Sequence, residues 1–341
     1  MKVKILCTLG PASLNPAVIE ALDERGVDLF RINLSHTSLA ALEDNIRTVR
    51  ASSTIPICVD TEGAQVRCGV MSADAVLEEG REITLIAELV VGTSAELSLW
   101  PPSTFETLQV GSVVSIDFDG ALLRVVGVRP GGVTAVVTSG GRVRSNKAVT
   151  IQPPPALPPL TDKDRAAIEV GERHGIAHYA LSFASGAPDV RSIRELCPSG
   201  SHIMAKIESR TGVRNMDGII EAADSIIIDR GDLSREVPLE HVPFYQKAIV
   251  RRANRWSRPI YVATNLLESM VTNRRPTIAE ANDIANTLID GVHGLVLAAE
   301  TSVGIDPVGS VDMILRSIRA FEQAQESNLL EEDRARSDVI A

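Results

Sequence analysis

Short apolar runs recur along the chain, and each ends in polar or small residues. Amphipathic segments with helical spacing, such as "NPAVIEALDERG" and "TGVRNMDGIIEAA", lie between them. Alternation of buried strands with helices is typical of a parallel sheet. The apolar runs cover residues 2–10, 28–35, 55–63, 178–184, 202–208, 225–232, 259–265 and 294–301.

Eight strand–helix units in one chain predict a closed (β/α)8 barrel, the TIM barrel. The alternative is an open, doubly wound sheet. Such sheets bind dinucleotides through a glycine-rich fingerprint after strand one, and this sequence lacks that fingerprint.

One gap interrupts the alternation, between the third and fourth runs. Its segments "REITLIAELVVG" and "GSVVSIDFDGALLRVVGVRPGGVTAVVTSGGRV" are typical of β-strands joined by glycine-rich turns. The gap therefore predicts a small all-β domain inserted after strand three, ending at the stiff connector "IQPPPALPPL". We expect the barrel at residues 1–68 and 158–325, the inserted domain at 69–157 and a polar tail at 326–341.

Composition narrows the possible partners. The 341 residues include 44% hydrophobic residues, enough for a large core, but only 3% aromatic residues. The scarcity of aromatic residues and the net charge of -10 argue against a nucleic acid polymer as partner. The four cysteines form no CxxC pair and predict buried thiols. No secretory signal or membrane span is evident, which favours a cytoplasmic protein without a membrane partner.

Polar residues collect at the ends of the predicted strands. In "IMAKIES", Lys206 and Glu208 project to the same side because side chains alternate along a strand. The chemistry of such barrels lies at the C-terminal ends of the strands, so we expect these side chains to converge there. The set comprises Arg31, Asn33, Ser35, His36, Asp60, Thr61, Arg67, Lys206, Glu208, Asp232, Thr264 and Glu300.

These residue types indicate a chemistry. Glu208 and Asp232 offer hard oxygen ligands suited to Mg²⁺. Lys206 and Arg31 are suited to negative charge that develops on a transferring phosphoryl group or an enolate. The backbone amides around Gly231 could hold a carboxylate. Together they indicate a phosphorylated or enolisable 2-oxo acid, although Lys206 and Glu208 alone could equally form a structural ion pair.

Several stretches together resemble the pyruvate kinase family. They occur in the family's order and span roughly residues 3 to 320, and the inserted β-domain stands where the family has its mobile lid. The stretches are "KILCTLGPAS", "RINLSH", "DTEGAQVR", "MAKIES", "RGDLS", "VATNLLESM", "RRPTIAEANDIAN" and "ETSVG".

The resemblance implies a role for each matching residue. Arg31 would contact the transferring phosphate, and Lys206 would stabilise the phosphoryl transition state. Glu208 and Asp232 would bind the divalent metal. The remaining roles are a monovalent cation site at Asn33, Ser35, Asp60 and Thr61, a nucleotide site at His36, Arg67 and Lys147, and a 2-oxo acid site at Gly231, Asp232 and Thr264.

The implied activity is phosphoryl transfer between phosphoenolpyruvate, or a related 2-oxo acid enol phosphate, and ADP or ATP. The implied cofactors are Mg²⁺ or Mn²⁺. The need for K⁺ stays open, because Gln65 stands where Glu accompanies K⁺ dependence and Lys accompanies independence. We expect a homodimer. One alternative is a metal-dependent C–C lyase or aldolase acting on an oxaloacetate-like acid, and another is a binding relative without catalysis. Retention of the nucleotide residues His36, Arg67 and Lys147 argues against the lyase.

The sequence also departs from the family pattern. Asp229 replaces an alanine of the pyruvate pocket, Asn265 replaces a glutamine, and Ala298 replaces a serine near the proton path. We expect Asp229 to shift the substrate away from plain pyruvate unless a neighbour such as Arg230 neutralises it. Family members carry a further C-terminal regulatory domain that this sequence does not include, so we expect no sugar-phosphate regulation of that type.

Overall fold

A computed structural model describes residues 2–72 and 75–327, and within it the chain forms two compact units. One contains the residues up to Gly63 and from Pro159 onwards, and the other contains Ala64–Pro158. The second unit begins at Ala64 rather than at residue 69 because the strand Arg67–Cys68 pairs with the strand Glu96–Trp100. The predicted polar tail lies, from residue 328 onwards, outside the described residues.

The first unit is a closed barrel of eight parallel strands, which confirms the predicted fold class. Each predicted apolar run contains one strand. Strand one pairs with strand eight, with Lys4 opposite Gly294, and this pairing closes the barrel. In chain order the strands are Lys4–Thr8, Leu29–Asn33, Ile57–Asp60, His178–Leu181, His202–Ile207, Ser225–Asp229, Ile260–Ala263 and Gly294–Leu297.

Both faces of each barrel strand are buried, which explains the continuous apolar runs. In strand six, Ile226 and Ile228 pack outwards against the helices, whereas Ile227 joins the cluster inside the barrel. Leu6, Met204 and Val296 belong to the same inner cluster. The apolar interior leaves the strand ends as the place where polar side chains gather.

Helices cover the outside of the barrel. Two of them begin with a complete capping box, one formed by Thr161 with Asp164 and one by Thr277 with Glu280. The helices are Pro16–Glu24, Leu39–Ser52, Asp162–Arg173, Ala187–Leu196, Arg210–Arg214, Met216–Ala222, Arg230–Glu236, Val242–Arg255, Ile278–Ile289, Ala299–Ser302 and Pro307–Glu326, with 3-10 turns at Leu239–His241 and Glu268–Val271.

The second unit is mainly β-structure with its own apolar core. It contains a seven-stranded sheet and a two-stranded sheet, together with a short helix at Asp117–Gly120 and a 3-10 turn at Pro102–Glu106. Neither unit has, in the described ranges, a helix of the length and apolarity that a bilayer crossing requires. The strands are Arg67–Cys68, Ala75–Leu77, Glu82–Ile86, Glu96–Trp100, Val113–Ile116, Ala121–Arg129, Gly132–Ser139, Gly141–Val143 and Val149–Gln152.

Candidate active site

A buried ion pair joins the ends of strands two and three. Arg31 lies in strand two and donates from Nε to Asp60 Oδ2 at 2.7 Å, and from Nη1 to Thr8 Oγ1 at 2.9 Å. Both Arg31 and Asp60 are buried. Burial would lower the pKa of Arg31, but the carboxylates of Asp60 and Asp229 raise it above its ordinary value. The guanidinium is therefore a fixed positive charge.

Lys206, in strand five, places its ammonium among three carboxylates. Nζ lies 3.1 Å from Glu208 Oε2, 3.5 Å from Asp60 Oδ2 and 3.6 Å from Asp229 Oδ2. It also donates to Ser182 Oγ at 3.1 Å. Burial opposes the charged form, but the surrounding anions outweigh it and raise the pKa of Lys206. The projection of Lys206 and Glu208 to one side thus brings both charges to a common site.

Glu208 is fully buried, and only one of its two carboxylate oxygens accepts a hydrogen bond. Its Oε1 accepts the backbone N–H of Phe183 at 2.7 Å. Its Oε2 is within ion-pair distance of Lys206 but has no hydrogen bond. Burial raises the pKa of Glu208 to about 8, with Lys206 lowering it and Asp229 and Asp232 raising it. A buried carboxylate oxygen without a hydrogen bond is suited to a metal ion.

Two further carboxylates lie beside Glu208. Oxygen atoms of Glu208, Asp229 and Asp232 all lie within 4.8 Å of one another. Asp232 is partly exposed and pairs with Arg235 at 3.0 Å. Burial raises the pKa of Asp232, and the charge of Asp229 adds to that effect. The donor set is all oxygen, which is the set that Mg²⁺ and Mn²⁺ prefer.

Asp229 is the residue that the sequence marked as a departure. It ends strand six, is 3% exposed, and caps the helix Arg230–Glu236. Burial opposes its ionisation, but Lys206 and Arg31 outweigh burial and lower its pKa. Arg230 is not the neighbour that neutralises Asp229, because its guanidinium turns away and binds Asp283 at 2.7 Å. The cation that pairs with Asp229 is Lys206, at 3.6 Å.

Thr264, directly after strand seven, links these elements. Its φ of 67° lies in the left-handed region, which a β-branched residue rarely adopts. Arg230 Nη2 donates to the Thr264 carbonyl at 2.8 Å and helps to hold this conformation. The Thr264 hydroxyl accepts from the Gly231 amide at 2.7 Å and lies 3.1 Å from Asp229 Oδ1.

Ser182 was not found by reasoning from the sequence. It follows strand four, and its Oγ binds Lys206, lies 3.4 Å from Asp60 Oδ1 and donates to the Thr61 carbonyl at 2.6 Å. Its backbone N–H donates to Thr61 Oγ1 at 2.9 Å. Its position at a strand end was the available signal, but an uncharged serine did not stand out.

A cavity of about 630 Å³ opens beside these groups in the barrel unit. Asn33 lines the cavity, and its Oδ1 accepts the Ser35 amide at 2.9 Å. Glu300 does not line the cavity. It is buried and accepts hydrogen bonds from the backbone amides of Leu267 and Ala298, so it fixes the loops that follow strands seven and eight. The predicted residues that line the cavity are Arg31, Asn33, His36, Asp229, Gly231, Asp232, Thr264, Asn265 and Ala298.

Two predicted nucleotide residues belong to the second unit. Arg67 donates to the Asn146 carbonyl at 3.0 Å and to Gln65 Oε1 at 3.2 Å. Lys147 pairs with Asp117 at 3.0 Å, and each side chain is 35% exposed. Both cations are therefore held by contacts inside their own unit.

Comparisons with known proteins agree with this geometry. Residues 1–311 match the family model for the barrel domain of pyruvate kinase. The chain is 37% identical to a pyruvate kinase from Geobacillus stearothermophilus, over 95% of this chain and 58% of that protein. It is also 37% identical to a pyruvate kinase from Methylorubrum extorquens, over 94% of this chain and 69% of that protein.

A solved structure is similar as well. The crystal structure of a pyruvate kinase from Cryptosporidium parvum superposes with a TM-score of 0.88 at 28% identity, covering 94% of this chain and 69% of that one. The chain thus spans less than two thirds of the Geobacillus relative, at 58% of its length.

Proposed function

The chain belongs to the pyruvate kinase family, and from this membership we propose that it transfers a phosphoryl group between an enol phosphate and an adenine nucleotide. The enol phosphate would be phosphoenolpyruvate or that of a related 2-oxo acid, and the nucleotide ADP or ATP. The observation that carries the proposal is the buried ammonium of Lys206, held among three carboxylates beside the Arg31 guanidinium. Fixed cations of this kind stabilise charge on a transferring phosphoryl group.

Lys206 and Arg31 have separate parts in the proposal. Asp60 and Thr8 hold the Arg31 guanidinium in one orientation, from which it would bind the phosphate. Lys206 is fixed by Ser182 and Glu208, so little reorganisation would be needed when charge develops in the transition state. Because its pKa is raised, Lys206 acts as a charge rather than as a proton donor at neutral pH.

Glu208 and Asp232 would hold a divalent metal. The unbonded Oε2 of Glu208 and its short distance to the other carboxylates support this fit. When bound, Mg²⁺ or Mn²⁺ would polarise substrate oxygens and neutralise part of the phosphoryl charge. Glu208 Oε1 is held by the Phe183 amide, which fixes the direction in which Oε2 faces.

A monovalent cation at Asn33, Ser35, Asp60 and Thr61 finds less support. Asn33 accepts from Ser35, Asp60 accepts from Arg31, and the Thr61 carbonyl accepts from Ser182. Each of these three oxygens accepts one protein hydrogen bond, which leaves a second lone pair that could face a cation. For the nucleotide, His36 of the barrel unit is exposed and lines the cavity, which supports its proposed role. Arg67 and Lys147 are proposed as nucleotide residues on the second unit.

The test is a nucleotide-coupled assay. With Mg²⁺, ADP and a panel of enol phosphates that includes phosphoenolpyruvate, we expect ATP to form in step with the 2-oxo acid. Chelation of the metal should stop the reaction. Cleavage of oxaloacetate without any nucleotide would favour the lyase instead, and absence of turnover together with retained ligand binding would favour the non-catalytic relative.

A further inference from the structure

Three groups around Thr264 are donors at the residues where membership of the family implies that the 2-oxo acid end of the substrate binds. They are the Gly231 amide, the Asp232 amide and the Thr264 hydroxyl, and we call them the substrate cradle. In this chain the cradle already faces a carboxylate. Asp229 Oδ1 lies 3.1 Å from Thr264 Oγ1 and accepts the Asp232 amide at 3.5 Å. The Gly231 amide donates to Thr264 Oγ1 at 2.7 Å.

The Thr264 hydroxyl has one proton and two acceptors within reach. The Ala263 carbonyl lies 2.6 Å from Oγ1, and Asp229 Oδ1 lies 3.1 Å from it. A charged acceptor forms the stronger hydrogen bond, so the ionised Asp229 competes effectively for the proton despite the longer distance. Oδ1 also fills the space over Gly231, where an added Cβ would lie 3.4 Å from it.

Asp229 is more than an ordinary helix cap. Capping aspartates satisfy backbone amides, and Asp229 does so for Asp232. Unlike a surface cap, however, Asp229 is 3% exposed, and its Oδ2 lies 3.6 Å from the Lys206 ammonium. One oxygen therefore faces the cradle and the other faces the proposed catalytic lysine.

The charge that Asp229 adds points the same way. Its carboxylate joins those of Asp60 and Glu208 around Lys206, with Arg31 bound to Asp60. A substrate carboxylate in the cradle would meet the charge of Asp229 at close range. A neutral group that donates a hydrogen bond would instead find an acceptor in Asp229.

We propose that Asp229 determines substrate specificity by taking the place of a substrate carboxylate in the cradle. The substrate class is the enol phosphate of a 2-oxo acid derivative, or its 2-oxo product, in which an amide or hydroxyl donor replaces the carboxylate. Phosphoenolpyruvate itself is then a poor substrate. This inference rests on the proposed function, because the family membership behind that function implies that this end of the substrate binds at Gly231, Asp232 and Thr264.

Oxalate and oxamate test the proposal without turnover. They have nearly the same size and both can bind a metal, but oxamate replaces one carboxylate by an amide. Their affinities should be measured by calorimetry at saturating Mg²⁺ for the parent, Asp229→Ala and Asp229→Asn. The ratio of the two affinities corrects for any change in metal binding that the substitutions cause.

We expect the parent to prefer oxamate and Asp229→Ala to prefer oxalate. The gain for oxalate should be about a hundredfold if two carboxylates ~6 Å apart repel each other at an effective dielectric of ~20. Asp229→Asn keeps the size of the side chain and remains a good cap, so it controls for folding. Because it removes the same charge as Asp229→Ala, its gain for oxalate should be of the same order.

An oxalate-to-oxamate ratio that is the same in all three proteins would overturn the proposal, as would failure of both ligands to bind any of them. The proposed function is judged separately, by the nucleotide-coupled assay. A reversed preference in Asp229→Ala together with no phosphoryl transfer for any substrate would refute the proposed function and leave the role of Asp229 intact.

Discussion

The barrel unit buries charged side chains, whereas the inserted unit buries none among its described residues. The inserted unit, Ala64–Pro158, buries only three polar residues among those described, Ser98, Thr104 and Ser112, and none of them is ionisable. Every buried charged residue of the described chain lies in the barrel unit. These residues are Arg31, Asp60, Asp164, Lys206, Glu208, Asp229, Arg230 and Glu300.

The difference separates structural from functional charges. Burial of a charge is costly unless it is well partnered. Asp164 and Glu300 are partnered by backbone amides, among them Gly63 for Asp164 and Leu267 for Glu300, which is a structural task. The other buried charges, apart from Arg230, meet around Lys206. The partly exposed pair Lys147–Asp117 of the inserted unit costs little and contributes little to stability.

The largest expected effect comes from Lys206→Met, which removes the cation shared by Asp60, Glu208 and Asp229. In the proposed reaction kcat should fall by about a hundredfold or more, with a much smaller change in KM, because the charge acts in the transition state. The free energy of unfolding should fall by about 3 kcal/mol because buried anions lose a partner.

Denaturant unfolding and steady-state kinetics measure the two effects of Lys206→Met. For the stability measurement, Lys147→Met is the matched control, since it removes a partly exposed lysine from the inserted unit. Equal loss of stability in the two variants would erase the contrast between the units, and unchanged kcat in Lys206→Met would remove its catalytic role.

A second, smaller effect is expected for Glu208→Gln. The substitution keeps the size of the side chain and the acceptor for the Phe183 amide, but it removes the negative charge that a divalent ion needs. Mn²⁺ affinity, measured by paramagnetic resonance without substrate, should fall at least about tenfold, as for loss of other metal-site groups. Asp164→Asn, in the capping box, serves as the control for loss of a buried carboxylate elsewhere. Retained Mn²⁺ affinity in Glu208→Gln would show that the carboxylates are not a metal site.

The smallest expected effect is that of replacing Lys147 in the inserted unit. Lys147→Met should change the free energy of unfolding by no more than about 1 kcal/mol, because the ion pair is partly exposed. It should raise KM for ADP and leave the binding of oxamate to the barrel unchanged. A variant in which ADP saturation is unaltered would remove Lys147 from the nucleotide site.

Much of the fold could be predicted because the barrel strands are short, continuous apolar runs with helices between them. All eight runs contain a barrel strand, since burial on both faces leaves a simple signal. The start of the inserted unit was harder to place. The strand Arg67–Cys68 is two residues long, and its pairing with Glu96–Trp100 is not visible in the sequence around it.

The site was predictable where charge alone marks a residue, as for Lys206 and Glu208. The role of a residue was not predictable where it depends on which side chain that residue contacts in the fold. Asp229 and Arg230 are adjacent in sequence, yet one faces Lys206 and the other binds Asp283, because successive residues at the end of a strand point in different directions. Ser182 contributes through hydrogen bonds, which a single sequence does not reveal.

The pairing of Lys4 with Gly294 has a consequence for biosynthesis. At about 5–20 residues per second, the ribosome needs roughly 15 to 60 s to deliver the partner of strand one after strand one itself has emerged. During that interval the nascent sheet keeps two open edges, which are templates for pairing with other chains. A chain terminated before residue 294 should therefore remain bound to chaperones or aggregate, whatever the quality of the seven strands it already contains.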